Sequence, residues 1–197
     1  DFRPVYRPAG CATWHRVRLP CAYHTQEDGC GVLRFRHRFE EPGVEVFFAF
    51  CVPWSLAEGA SMLAALDAEY ARDEGLRRTV YYHRGQLARS LLGRPVDVLT
   101  ITDPEGGRPQ EGDPGGALAF PAGRKVFVIS ARVHPGETPA SHMLNGALRF
   151  LMREDDPRAA AARKAFVFKV VPCLNPDGVA AGHYRSDTRG VNLNRCY

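Results

Sequence analysis

The segment from Lys125 to Val171 constrains the fold more than any other. Two runs within it, KVFVISARV and AFVFKVV, are nearly uninterrupted in apolar content, as strands covered on both faces of an α/β sheet are. Between them, Thr138 followed by Pro139 has the form of a helix N-cap with proline at the first helical position. The helix begun there is expected to bury Met143, Leu144, Ala147, Leu148, Leu151 and Met152, which recur at helical spacing. Asp156-Pro157 repeats the cap pattern for a shorter helix through Lys164. Strand, helix, strand predicts a parallel pair with helices packed against it.

The first fifty residues read as β structure. In GVLRFRHRFE, Leu33, Phe35, His37 and Phe39 alternate with Arg34, Arg36, Arg38 and Glu40, the period of a strand with one buried face. Pro42-Gly43 supplies a turn, and VEVFFAFCV is apolar enough for a sheet interior, so the two are expected to form a hairpin. After Pro53 the pattern becomes helical through Leu56, Met62, Leu63, Leu66 and Tyr70, which places a domain boundary between residues 1–53 and 54–197. LARSLLGRPVDVLTITD predicts two short strands joined at Leu92-Gly93-Arg94. Residues 103–124 are crowded with glycine and proline and predict a surface loop.

Composition narrows the function classes. The chain has 197 residues, 45% of them hydrophobic and 24% charged, ordinary for a globular protein that can bury a core. Its net charge of +4 is modest and its only lysines are Lys125, Lys164 and Lys169. That balance gives no ground for a nucleic-acid partner. No apolar stretch approaches the roughly 20 residues of a membrane helix, so a soluble monomer is expected, with no membrane partner. The cysteines Cys11, Cys21, Cys30, Cys51, Cys173 and Cys196 form no CxxC pair, and Cys11, His15, Cys21 and His24 fit no common zinc-finger spacing. A reducing compartment follows. The chain starts at Asp1 and stops at Tyr197 directly after a polar loop, and is expected to be an excerpt of a longer protein.

Chemistry concentrates where the apolar runs end. His134 follows the run KVFVISARV, and Glu137 stands three residues on, across Pro135-Gly136. Open α/β sheets place ligands at such strand ends, and a histidine with a glutamate is part of a common catalytic zinc set. The alternative is a plain turn in which Glu137 favours a helix N-terminus. After the second run comes LNPDGVAAGHYRSDTRGVNLNR, with three arginines and three asparagines. Arginine grips carboxylates bidentately and asparagine adds a neutral donor. Metal ligands at one strand end and carboxylate binders at the next suggest a hydrolase acting near a free carboxylate, against the alternative of a solvated loop.

The combination of SxxGRPV at residues 90–96, HPGE at 134–137, NPDG at 175–178 and GVNLNR at 190–195 resembles the zinc carboxypeptidases of the carboxypeptidase A type. The stretches FFAFCVPW, ARVHPGETPASHMLNG and LNPDGVAAGHYRSDTRGVNLNRCY are most similar to the cytosolic branch of that family. The resemblance implies a mixed α/β sheet with flanking helices on both faces, preceded by part of a small β-sandwich ending in residues 31–52. It implies Zn2+ as cofactor, with His134 and Glu137 as its first two ligands. It assigns Arg185 to polarising the scissile carbonyl and steadying the oxyanion, and Asn194 and Arg195 to clamping the substrate's terminal carboxylate. The implied activity is amide hydrolysis that removes glutamate from polyglutamylated proteins, chiefly tubulin, with a branch-point glutamate as a further target. The implied setting is the cytosol and its microtubules, with nuclear residence left open.

This sequence departs from the family pattern in one respect. The second zinc histidine and the general-base glutamate belong downstream of Arg195, and His142 and His183 are expected to be structural. The 197-residue chain alone is therefore expected to bind zinc poorly and not to turn over. Two other readings fit parts of the pattern: an aspartoacylase-like zinc amidohydrolase, and a non-catalytic module that docks on tubulin through its arginines.

Overall fold

The apolar alternations near the N-terminus fold into separate ladders rather than one hairpin. The computed structural model describes residues 2–109 and 116–196, in two units, Asp1–Pro53 and Trp54–Tyr197. In the first unit, β1 (Val5–Pro8) lies between β2 (His15–Arg16) and a later strand, β5 (Val46–Ala49), antiparallel to both. A separate hairpin joins β3 (Ala22–Thr25) to β4 (Gly31–Arg34). The expected pairing of residues 31–40 with the VEVFFAFCV run is therefore corrected. β4 stops at Arg34 and pairs with β3, while β5 pairs with β1. The alternation beyond Arg34 is satisfied by ring contacts instead: Phe35, His37 and Phe39 lie 5.4, 5.0 and 6.4 Å from Phe48. Nor is β5 covered on both faces, since it is an edge strand and Phe47 and Phe48 stay partly exposed.

The second unit opens with α1 (Leu56–Arg72), held at its start by a reciprocal cap. Ser55 Oγ accepts from the Glu58 amide at 3.1 Å and Glu58 Oε2 from the Ser55 amide at 2.6 Å, satisfying two N–H groups that a helix start leaves unpaired. The Asp73 side chain caps α2 (Glu74–Thr79) with a single bond, accepting from the Leu76 amide at 3.0 Å. β6 (Tyr81–Arg89) and β7 (Pro95–Thr102) then form an antiparallel hairpin turning at Gly93, whose φ of 79° favours glycine. The join is the one predicted, although β6 begins earlier than its pattern suggested. The predicted loop at 103–124 contains a short ladder of β8 (Arg108–Pro109) with β9 (Leu118–Ala119). Its residues 110–115 lie outside the described residues.

β10 (Lys125–Ser130), α3 (Thr138–Leu151), α4 (Pro157–Ala165), β11 (Phe166–Val171) and α5 (Pro176–Ala181) complete the unit. The sheet order is β10-β11-β7-β6, parallel between β10 and β11 and antiparallel elsewhere, so the predicted mixed α/β sheet is found. One face of it presents Tyr82, Leu99, Ile101, Phe168 and Val170 to Leu63 and Leu66 of α1, Leu76 of α2, and Leu144, Leu148 and Leu151 of α3. Each such side chain contributes about 1.5–3 kcal/mol on burial.

Three local expectations are corrected. β10 is not covered on both faces: it is an edge strand, and Val126, Phe127 and Val128 are 59%, 48% and 68% exposed. The interior position belongs to β11. Thr138 is not the N-cap of α3; Glu137 is, without a capping side-chain bond, and Thr138 is the first helical residue. With that phase Ser141, Leu144, Leu148 and Leu151 face inward while Met143 is 76% exposed. The Asp156 cap is as expected, its carboxylate accepting from the Arg158 amide at 3.0 Å. Arg163 of α4 turns inward and donates to the carbonyls of Leu151 and Arg153 at the end of α3, where cationic donors offset orphan carbonyls. No described helix is long and apolar enough to cross a membrane.

Candidate active site

Because β10 and β11 run parallel, the chain leaves both at the same edge of the sheet. Their extensions stay joined: the Ala131 amide donates to the Val171 carbonyl at 3.1 Å, and the Leu174 and Asn175 amides donate to the carbonyls of Ala131 and Arg132 at 3.0 and 3.2 Å. The Asn175 side chain accepts from the Gly178 amide at 2.9 Å and so caps α5, while its Nδ2 reaches the Val133 carbonyl at 3.4 Å. The HPGE and NPDG segments thus share one wall.

Two glycines allow the approach. A Cβ on Gly178 would stand 2.4 Å from Pro135 Cγ, and one on Gly136 would stand 2.9 Å from the Tyr184 carbonyl oxygen. The Gly136 amide donates to that same oxygen at 2.8 Å. Arg185, exposed at the next residue, is therefore carried beside the HPGE turn by the backbone. Further along, Asn192 caps a 3-10 turn at Leu193–Arg195, which holds the half-buried Asn194 and the exposed Arg195. Arg195 Nη1 donates to the Asn194 carbonyl at 2.8 Å.

His134 lies at the centre, only 5% exposed. Its Nδ1 is 2.8 Å from Glu137 Oε1 and its Nε2 is 3.0 Å from Asn192 Oδ1. The Asn194 amide also donates to Asn192 Oδ1, at 3.1 Å, which identifies that atom as an acceptor. His134 Nε2 must then carry a hydrogen and donate it to Asn192 Oδ1, which turns Nδ1 towards Glu137. Nδ1 faces Glu137 Oε1 at hydrogen-bond distance, so a histidine nitrogen and a glutamate oxygen are brought to one place. Imidazole nitrogen and carboxylate oxygen both suit zinc, and Glu137 is 48% exposed on the open side. Among the described residues no cluster of three or more His, Cys, Asp or Glu forms a complete metal set. The pair fits two positions of a zinc site.

Hydrogen bonds join His134, Glu137 and Asn192, whereas Arg185, Asn194 and Arg195 reach the same loop cluster through the backbone. His142 instead stands edge-on to Trp54, 4.8 Å between ring centres, and His183 Nδ1 lies 3.0 Å from the Asp187 carbonyl. Sequence reasoning assigned no role to three residues that shape the site. Asn192 sat unremarked within GVNLNR. Arg132 belonged to an apolar run. Asp177, 4% exposed, accepts from Ser90 Oγ and Arg94 Nη1, both at 2.8 Å, and from the Leu92 amide at 3.0 Å. Burial pushes this carboxyl's pKa up, but the bonds from Leu92, Arg94 and Ser90 outweigh it and hold the group below the ordinary range. The signal was the co-occurrence of SxxGR with NPDG, since the two motifs are partners in space.

A mixed sheet with a His-x-x-Glu turn at its carboxyl edge and an asparagine-arginine turn beside it defines a class of metal-dependent hydrolases. The chain belongs to the zinc carboxypeptidase family, whose family model matches residues 79–197. Within that family it is similar to cytosolic carboxypeptidase-like protein 5 of Homo sapiens, at 45% identity over 93% of this chain and 22% of that protein. Cytosolic carboxypeptidase 6 of Caenorhabditis elegans is 33% identical over 98% of this chain and 38% of that protein. The chain thus spans about a fifth to two fifths of the length of these curated relatives. Among solved structures, a metallo-carboxypeptidase from Burkholderia cenocepacia superposes with a TM-score of 0.73 at 27% identity, covering 98% of this chain and 43% of that one.

Proposed function

We propose that this chain supplies the first two zinc ligands and the substrate-carboxylate grip of a cytosolic metallocarboxypeptidase that removes glutamate from polyglutamylated proteins, chiefly tubulin. The observation that carries the reading is that His134 Nδ1 and Glu137 Oε1 stand 2.8 Å apart, a histidine nitrogen and a glutamate oxygen, both zinc-type donors, brought to one place at a strand end. The names of the similar proteins, cytosolic carboxypeptidases, support the reaction and its compartment.

His134 and Glu137 would hold the metal, with Asn192 fixing the imidazole so that Nδ1 faces Glu137. Zinc, when bound, supplies Lewis-acid chemistry towards an amide carbonyl. Arg185 would stabilise negative charge developing on that carbonyl oxygen, a role suited to a permanently charged guanidinium. Asn194 and Arg195 would bind the terminal carboxylate and so restrict cleavage to the last residue. With only two ligands gathered among the described residues, the 197-residue chain by itself would bind zinc weakly and be inactive.

The test compares the 197-residue chain with the full protein encoded by the native transcript, measuring zinc stoichiometry and glutamate released from polyglutamylated tubulin. One zinc and steady glutamate release in the full protein, both abolished by His134→Ala, are expected. Tubulin binding without release in a zinc-loaded full protein would favour a docking module instead.

A further inference from the structure

Arg132 combines two features that are each unfavourable. It is the one non-glycine residue with positive φ among the described residues, at 58°, a conformation that costs roughly 1–2 kcal/mol for a residue with a Cβ. It is also 5% exposed, and the partners of its guanidinium are neutral. Nε donates to the Pro135 carbonyl at 2.9 Å and Nη2 to the same oxygen at 2.5 Å, while Nη1 donates to the Trp54 carbonyl and Ser141 Oγ, both at 2.9 Å. A strained backbone and a cation buried among neutral acceptors persist only where surrounding structure holds them, and such strain gathers at functional positions.

We propose that Arg132 is a positioning residue whose guanidinium fork sets the path of the chain from His134 to Glu137, and so the geometry in which both side chains receive a metal. The proposal rests on the reading of His134 and Glu137 as zinc ligands. The carbonyl gripped by the fork belongs to Pro135, the residue directly after His134 and two before Glu137, so its direction governs how the turn delivers both. The remaining bonds tie that grip to the inward-facing Ser141 of α3 and to the Trp54 backbone ahead of α1. Left-handed backbone at Arg132 turns the chain away from the line of β10 and lets its own side chain reach forward to Pro135. Lysine would keep the charge but present a single ammonium in place of the fork.

The experiment is a zinc titration of the full protein in wild-type, Arg132→Gly, Arg132→Lys and His134→Ala forms, each with and without ethylguanidinium, with thermal unfolding alongside. Glycine accepts the left-handed φ without strain and leaves room for the added guanidinium. Arg132→Gly and Arg132→Lys are expected to bind zinc at least about 10-fold more weakly. Ethylguanidinium should restore affinity to the glycine form alone. Unchanged affinity in Arg132→Gly, or weakened affinity that ethylguanidinium leaves unrestored, overturns the proposal. Failure of both Arg132 variants to fold also overturns it, by assigning the residue to stability alone. Zinc retained by His134→Ala overturns the ligand reading instead, so the two failures are distinguishable.

Discussion

His134 Nε2 and Asn192 Oδ1 lie 3.0 Å apart across 58 residues of chain, and this contact orients the imidazole so that its other nitrogen faces Glu137. Asn192→Ala is expected to weaken zinc binding about 10–100-fold, the usual effect of losing the partner behind a ligating histidine. Asn192→Asp should preserve it, because a carboxylate accepts the Nε2 hydrogen at least as strongly. Competition titration against a zinc chelator measures both. Wild-type affinity in the alanine variant would show that His134 is oriented by something else.

Asp177 ties the β6–β7 turn to the first turn of α5 through Ser90, Leu92 and Arg94. Replacing it with alanine leaves Arg94 without its carboxylate, and since that side chain is 38% exposed water takes up part of the loss. A destabilisation of about 2–4 kcal/mol in urea unfolding is expected, near the lower end for a broken buried pair. The pH dependence has a definite sign. The carboxyl titrates lower in the folded protein than its ordinary value, so its stabilising contribution is complete above about pH 4–5 and disappears as pH falls through the depressed folded value. The gap between wild type and Asp177→Ala should therefore narrow on acidification; a gap that widens would contradict the assignment.

Gly136 and Gly146 should respond oppositely to alanine. At Gly136 the new Cβ meets the Tyr184 carbonyl oxygen at 2.9 Å and its Cα at 3.0 Å, backbone atoms that no rotamer change can move. A loss of about 1–3 kcal/mol is expected, with weakened zinc binding in the full protein. Gly146 lies within α3 and its Cβ would meet nothing within 4 Å, so Gly146→Ala should stabilise by up to about 1 kcal/mol through helix propensity. Thermal unfolding of the pair provides the comparison.

The edge strand β10 exposes Val126, Phe127 and Val128, an apolar row beside unpaired backbone groups and hence a template for association. Val128→Lys in the 197-residue chain is expected to raise the monomeric fraction seen by light scattering, with the unfolding midpoint little changed. Equal association in both forms would place the sticky surface elsewhere.

Local patterns carried much of this protein's architecture. The cap at Asp156, the turn at Gly93, the helical stripe of Leu63 and Leu66, and the apolar run of β11 each depend on residues a few positions apart, so the sequence alone determined them, along with the family motifs and the His134–Glu137 pair. Tertiary structure decided the rest. The preference of β4 for β3 over β5, the edge position of β10, the ring orientation that Asn192 imposes on His134, the bond from Arg94 to Asp177 and the clamp of Arg132 on the HPGE turn were not legible. Strand pairing and edge position depend on which segments compete for the same neighbours, and buried polar groups take the partners that packing brings within about 3 Å. Hydrophobic periodicity states that a face must be covered. It does not say by what.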